Sequence, residues 1–166
     1  MATAIAERVG ERLRARGEYL AVAESCTGGL VGSLLTDVPG SSDYFDRGVV
    51  TYSYDAKLET LAVDRETLDA HGAVSEPVAA QMARGIRDTA NVAWGVATTG
   101  VAGPSGGSPD KPLGTVYVGI AHAADWGTGE SWSSVERYEF DGSRTEIKRE
   151  IAERALEDLA AAVEGA

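Results

Sequence analysis

A hydroxyl set where a short apolar strand gives way to two glycines is the first feature of this 166-residue chain that could act on a substrate. The run is Ala21-Val22-Ala23-Glu24-Ser25-Cys26-Thr27-Gly28-Gly29. A strand–turn–helix junction of this type exposes a side chain at the sheet edge and aims the N–H groups beyond it at a bound group. That geometry suits a serine nucleophile beside an oxyanion hole, although the Gly-x-Ser-x-Gly pattern of nucleophile elbows is absent. The same spacing also serves a simple helix cap by Ser25 or Thr27, so both readings stand at this point. Cys26, the single cysteine, excludes an internal disulfide and reads as a small half-buried thiol.

Two further runs carry chemistry. In Thr51-Tyr52-Ser53-Tyr54-Asp55-Ala56-Lys57, a phenol and an amine fall near a strand end. A lysine acts as a general base only when burial leaves part of it neutral, and the alternative is a solvated helix lysine. Only Lys57, Lys111 and Lys148 are lysines among the fifteen basic residues, the other twelve being arginine. The third run, Thr98-Thr99-Gly100-Val101-Ala102-Gly103-Pro104-Ser105-Gly106-Gly107, continues to Lys111-Pro112-Leu113-Gly114-Thr115. Its glycines let backbone approach a ligand closely, or make an ordinary mobile loop. It matches neither the phosphate-binding loop nor the dinucleotide fingerprint. His71 and His122 belong to no metal-ligand pattern and no evident triad, and both read as structural.

The elements that must hold these runs follow from periodicity. Helices are predicted over 3–17, 30–35, 56–61, 65–70, 75–89 and 144–163, with Ser75 as a hydroxyl N-cap and Pro77 in the first turn. Strands are predicted over 19–23, 45–54, 92–98 and 115–121, with 131–140 alternating as an antiparallel partner. Helices before, between and after about four strands imply an α/β fold with a mixed sheet covered on both faces. No linker or repeat divides residues 1–166, so one domain is expected.

Composition narrows the class. Hydrophobic residues at 43% and charged residues at 25% are globular proportions. A net charge of −11 repels a phosphate backbone and disfavours a nucleic-acid binder; an acidic, lysine-poor surface also suits a salt-rich cytosol. No apolar stretch is long enough to cross a membrane, and charged residues interrupt the N-terminal helix, so no membrane partner and a cytoplasmic location are expected.

Taken in order, four motifs resemble the CinA C-terminal domain family. They are Glu24-Ser25-Cys26-Thr27-Gly28-Gly29, Gly72-Ala73-Val74-Ser75, Thr99-Gly100-Val101-Ala102-Gly103-Pro104 and Lys111-Pro112-Leu113-Gly114-Thr115-Val116. Arg47-Gly48-Val49-Val50-Thr51-Tyr52-Ser53 and Lys57 fall between the first two, and the resemblance covers roughly residues 5–160. It implies a three-layer α/β/α fold, usually oligomeric. It also implies a nicotinamide-nucleotide amidase, which hydrolyses nicotinamide mononucleotide to nicotinate mononucleotide and ammonia without metal or organic cofactor. By motif match, Ser25 and Lys57 form the catalytic pair, with Tyr52 assisting. The substrate-binding set is Thr27, Gly28, Gly29, Thr99, Gly100, Ala102, Gly103 and Arg144. The N–H groups of the Thr27-Gly28-Gly29 turn or of Gly100 are then expected to hold the oxyanion. The substrate phosphate is expected at a helix N-terminus or against Arg144. One position departs: relatives commonly have Tyr-Ser-Asn where this chain has Tyr52-Ser53-Tyr54. A larger phenol there reshapes the pocket wall, which keeps two alternatives in view: a non-catalytic nucleotide-binding module, and an amidase for a related carboxamide.

Overall fold

Alternation along the strands decides which helices lie on which side of the sheet. In the computed structural model, which describes residues 1–166, five strands occur: β1 (Leu20–Glu24), β2 (Phe45–Val50), β3 (Trp94–Gly100), β4 (Thr115–His122) and β5 (Trp132–Glu139). Their order is β2-β1-β3-β4-β5, with β1 parallel to β2 and β3 and with β4 antiparallel to β3 and β5. The sheet is mixed, as expected, and its five strands fall on the five predicted segments, with β5 pairing antiparallel to β4 from Thr115 through His122.

Six helices cover it: α1 (Ala4–Arg16), α2 (Leu30–Thr36), α3 (Tyr54–Leu61), α4 (Arg65–His71), α5 (Glu76–Ala90) and α6 (Arg144–Gly165). Leu20, Val22, Trp94, Val96, Val118 and Ile120 point to one face and share a core with α1, α2 and α6. Their neighbours Ala21, Ala23, Ala97 and Ala121 point the other way, into a second core with α3, α4 and α5. The layers are therefore α/β/α.

The second face is lined with small residues, and this lets α5 lie close against the sheet. A β-carbon on Gly95 would stand 2.2 Å from the Ala83 carbonyl, and one on Gly119 would stand 2.6 Å from the Ala79 carbonyl. Gly85 of α5 in turn admits the Leu61 carbonyl at the end of α3, where a β-carbon would lie 2.1 Å away. Close packing of α5 thus fixes α3, the helix that carries Lys57.

Two local expectations are corrected. The strand predicted over 45–54 stops at Val50, because the Ser53 hydroxyl accepts the Ala56 N–H at 3.1 Å and starts α3 at Tyr54. Ser75 stands at the N-cap of α5 but does not cap it; its hydroxyl donates to the Gly72 carbonyl at 2.8 Å instead. That bond closes the turn between α4 and α5.

Candidate active site

Parallel β1 and β3 end side by side, with Glu24 paired to Thr98. Sites in α/β sheets collect at such carboxyl ends of strands. The ladder continues one residue further, because the Ser25 N–H donates to the Thr98 carbonyl at 3.0 Å and fixes the Ser25 backbone. The chain then turns sharply through Gly28 (φ 60°) and Gly29 (φ 104°), left-handed positions suited to glycine, and enters α2.

Glu24 holds this turn, a role that sequence reasoning missed. Its carboxylate is buried and accepts from the Thr27 hydroxyl at 2.6 Å and from the N–H groups of Gly29, Val31 and Gly32 at 3.2, 2.9 and 3.0 Å. An anion at the start of α2 satisfies donors that the helix leaves open. A carboxylate accepts only, so Thr27 donates to Glu24 and takes its second bond, at 2.8 Å, from the Thr98 hydroxyl. The signal in the sequence was a lone acid ending an otherwise apolar strand.

Lys57 meets Ser25 directly. Its Nζ lies 3.0 Å from Ser25 Oγ, 2.6 Å from the Thr51 carbonyl and 3.3 Å from the Tyr52 carbonyl. The side chain is fully buried and has no carboxylate partner. Burial pushes its pKa down from 10.5 to about 8. A neutral amine keeps two N–H donors and one lone pair. Thr51 and Tyr52 offer only carbonyl oxygens, so they take the two donors and the lone pair faces the Ser25 hydroxyl. The arrangement is that of a base hydrogen-bonded to a nucleophile.

The neighbouring Cys26 is a poor rival. Burial pushes its thiol up to about 12, which leaves no useful thiolate near neutral pH.

The N–H groups open to a developing oxyanion are fewer than the motif suggested. Gly28 N–H bonds to the Ser25 carbonyl at 3.1 Å, and Gly29 N–H is taken by Glu24. Gly100 pairs with Val116 without exchanging bonds, the cross-strand bond there running from the Val101 N–H to the Thr115 carbonyl at 2.9 Å, so the ladder does not take its N–H. Those of Cys26 and Thr27 bond to no protein acceptor.

The remaining candidates form a frame around this centre. Tyr52 has a largely exposed ring whose hydroxyl accepts from Arg144 Nη2 at 3.1 Å; it touches Lys57 through its carbonyl and not its phenol. Arg144 also donates from Nη1 to the Gly103 carbonyl, so one guanidinium joins the β2–α3 connection to the glycine-rich loop. Ala102 packs beside Cys26 and Ile147. Buried Thr99 donates to the Ala73 carbonyl at 2.8 Å, while the Tyr54 hydroxyl accepts the Ala73 N–H at 3.1 Å. The residue that departs from the motif thus pins the α4–α5 turn. Thr27, Gly28, Gly29 and Lys57 gather at Ser25, whereas Thr99 and Arg144 engage through the loops they tie down. A cavity of about 780 Å³, lined by Arg87, Asn91, Trp126 and neighbours, lies at the opposite end of the sheet and contains none of these residues.

The family model of the CinA C-terminal domain matches residues 2–163. The chain belongs to the CinA C-terminal domain family. Among curated CinA relatives, a CinA-like protein of Chlorobium limicola is 49% identical over 156 residues, which is 94% of this chain and 36% of that protein. The chain therefore spans about a third of the length of that relative. The nicotinamide-nucleotide amidohydrolase PncC of Shigella flexneri is 46% identical over 155 residues, covering 93% of this chain and 90% of that protein. A competence-damaged protein (CinA) superfamily structure from Klebsiella pneumoniae superposes with a TM-score of 0.89 at 33% identity, over 98% of this chain and 97% of the other. The CinA fold and the ordered motifs therefore coincide in this chain.

Proposed function

We propose that this chain is a serine amidohydrolase acting on nicotinamide mononucleotide, with Ser25 as nucleophile and Lys57 as base. The observation that carries the reading is the 3.0 Å contact between Lys57 Nζ and Ser25 Oγ, in a buried setting without a counter-ion. Kinship with a nicotinamide-nucleotide amidohydrolase of near-equal length supports the substrate.

Neutral Lys57 takes the Ser25 proton as Oγ attacks the carboxamide carbon. The carbonyl oxygen becomes an oxyanion, for which the Cys26, Thr27 and Gly100 N–H groups are the free donors. Donors of this kind each lower a barrier by about 3 kcal/mol. On collapse, the Lys57 ammonium returns its proton to the leaving nitrogen and ammonia departs, leaving an ester on Ser25. Water, deprotonated by Lys57, then attacks the ester and releases the carboxylate, and Ser25 recovers its proton. Tyr52 has no proton-transfer duty in this scheme, because Lys57 reaches Ser25 without a relay. Its phenol and Arg144 shape the entrance.

Ammonia release from nicotinamide mononucleotide, nicotinamide riboside, nicotinamide and simple aliphatic carboxamides tests the proposal. The mononucleotide is expected to have the highest kcat/KM. A preference for another carboxamide would reassign the substrate. Nucleotide binding without ammonia from any of them would make the chain a binding module.

A further inference from the structure

The charges of this chain are sorted in a way that the reaction scheme leaves unused. All nine ion pairs are made by arginines, nine of the twelve present, and no lysine takes part in one. The three lysines all border the candidate site instead. Lys57 is spent on Ser25 and two carbonyls, and Lys111 donates to the His71 carbonyl at 2.6 Å. Lys148 makes no hydrogen bond and no ion pair, although it is half-buried. It lies on α6 one turn after Arg144, so both side chains share a helix face. Its ammonium sits over the turn that follows the nucleophile: a β-carbon on Gly28 would stand 3.8 Å from Lys148 Nζ.

The substrate phosphate was expected at a helix N-terminus or against Arg144, but two of the Arg144 donors already serve neutral acceptors that brace the loops. A protein with net charge −11 repels an anionic substrate in general and needs a local cation to hold one. We propose that Lys148 is the specificity residue that binds the phosphomonoester of the substrate, with Arg144 as a positioning residue that sets the loops around it. The inference rests on the nucleotide reading above. It adds the side chain that distinguishes a nucleotide from its nucleoside. All three donors of the Lys148 ammonium are free for phosphate oxygens, and the Gly28 turn leaves room above it.

The test compares wild type, Lys148→Gln and Lys148→Arg. The first readout is the ratio of kcat/KM for nicotinamide mononucleotide to that for nicotinamide riboside. It is expected to fall at least about 30-fold in Lys148→Gln, through KM for the mononucleotide, and to recover in Lys148→Arg. The second readout needs no turnover: calorimetric binding of inorganic phosphate at low ionic strength, expected in wild type and lost in Lys148→Gln. An unchanged ratio or unchanged phosphate binding in Lys148→Gln overturns the inference, and so does a wild type that binds no phosphate. A wild type that releases no ammonia from any carboxamide, yet binds phosphate through Lys148, overturns the amidase reading and leaves the anion site standing.

Discussion

Replacing Lys57 by methionine keeps the length and apolar body of the side chain but removes its titrating amine, so the two proteins differ in how stability depends on pH. In the folded protein burial holds Lys57 at about 8, against 10.5 for an ordinary lysine. A folded pKa below the unfolded one means that the unfolded chain binds more protons between these values, so wild-type stability rises with pH there. Below about pH 8 the folded state carries the full burden of a charged or neutralised buried amine, roughly 3 kcal/mol at pH 7. By pH 9.5 most of that burden is gone, and the wild type gains about 2 kcal/mol relative to Lys57→Met. The bonds to Thr51 and Tyr52 that the substitution loses shift the difference by a constant and drop out of its slope. Urea unfolding of both proteins at several values between pH 7 and pH 9.5 measures the slope directly. A difference that stays flat, or a wild type that loses ground as pH rises, would refute the claim that burial depresses this amine. The same titration sets the rate. About one enzyme molecule in ten has neutral Lys57 at pH 7, so kcat/KM is expected to climb toward a plateau above about pH 8.

Lys57→Arg keeps the charge but cannot accept a proton, and ammonia release at pH 8 is expected to fall by about 10³-fold or more; near-normal activity would mean the site needs only a cation. Cys26→Ala is expected to retain turnover within about threefold, since burial pushes that thiol up to about 12; a dead Cys26→Ala protein alongside an active Ser25→Ala would exchange the nucleophile. Glu24→Ala strips the acceptor from Thr27, Gly29, Val31 and Gly32 and is expected to cost about 3–5 kcal/mol in urea unfolding, a loss below about 1 kcal/mol being incompatible with its place in the turn.

Much of this was legible in the residues. The apolar run into Ser25 and two glycines marks a strand, a turn and a helix start, and the structure places β1, the turn and α2 there. Alternation in β5 announced its antiparallel pairing with β4. What stayed hidden depends on contacts between distant segments. Nothing near Lys57 in sequence shows that α5, drawn onto the sheet by Gly95 and Gly119, brings α3 and its amine against Ser25. The sequence assigns Glu24 no role, and only the fold shows its carboxylate gathering the N–H groups of Gly29, Val31 and Gly32 at the start of α2. Ser75 looks like a helix cap because capping and turn-closing use the same hydroxyl, and only the Gly72 carbonyl decides between them. Tyr54 reads as a change in the pocket wall, and only the fold shows that its hydroxyl also accepts the Ala73 N–H.

The central claim is that Ser25, deprotonated by Lys57, opens a carboxamide. Its most direct measurement is ammonia release from nicotinamide mononucleotide by the wild type and Ser25→Ala, side by side at pH 8. The account predicts turnover by the wild type and a loss of at least about 10³-fold in Ser25→Ala, with the mononucleotide still bound. Turnover by Ser25→Ala within tenfold of wild type would contradict it.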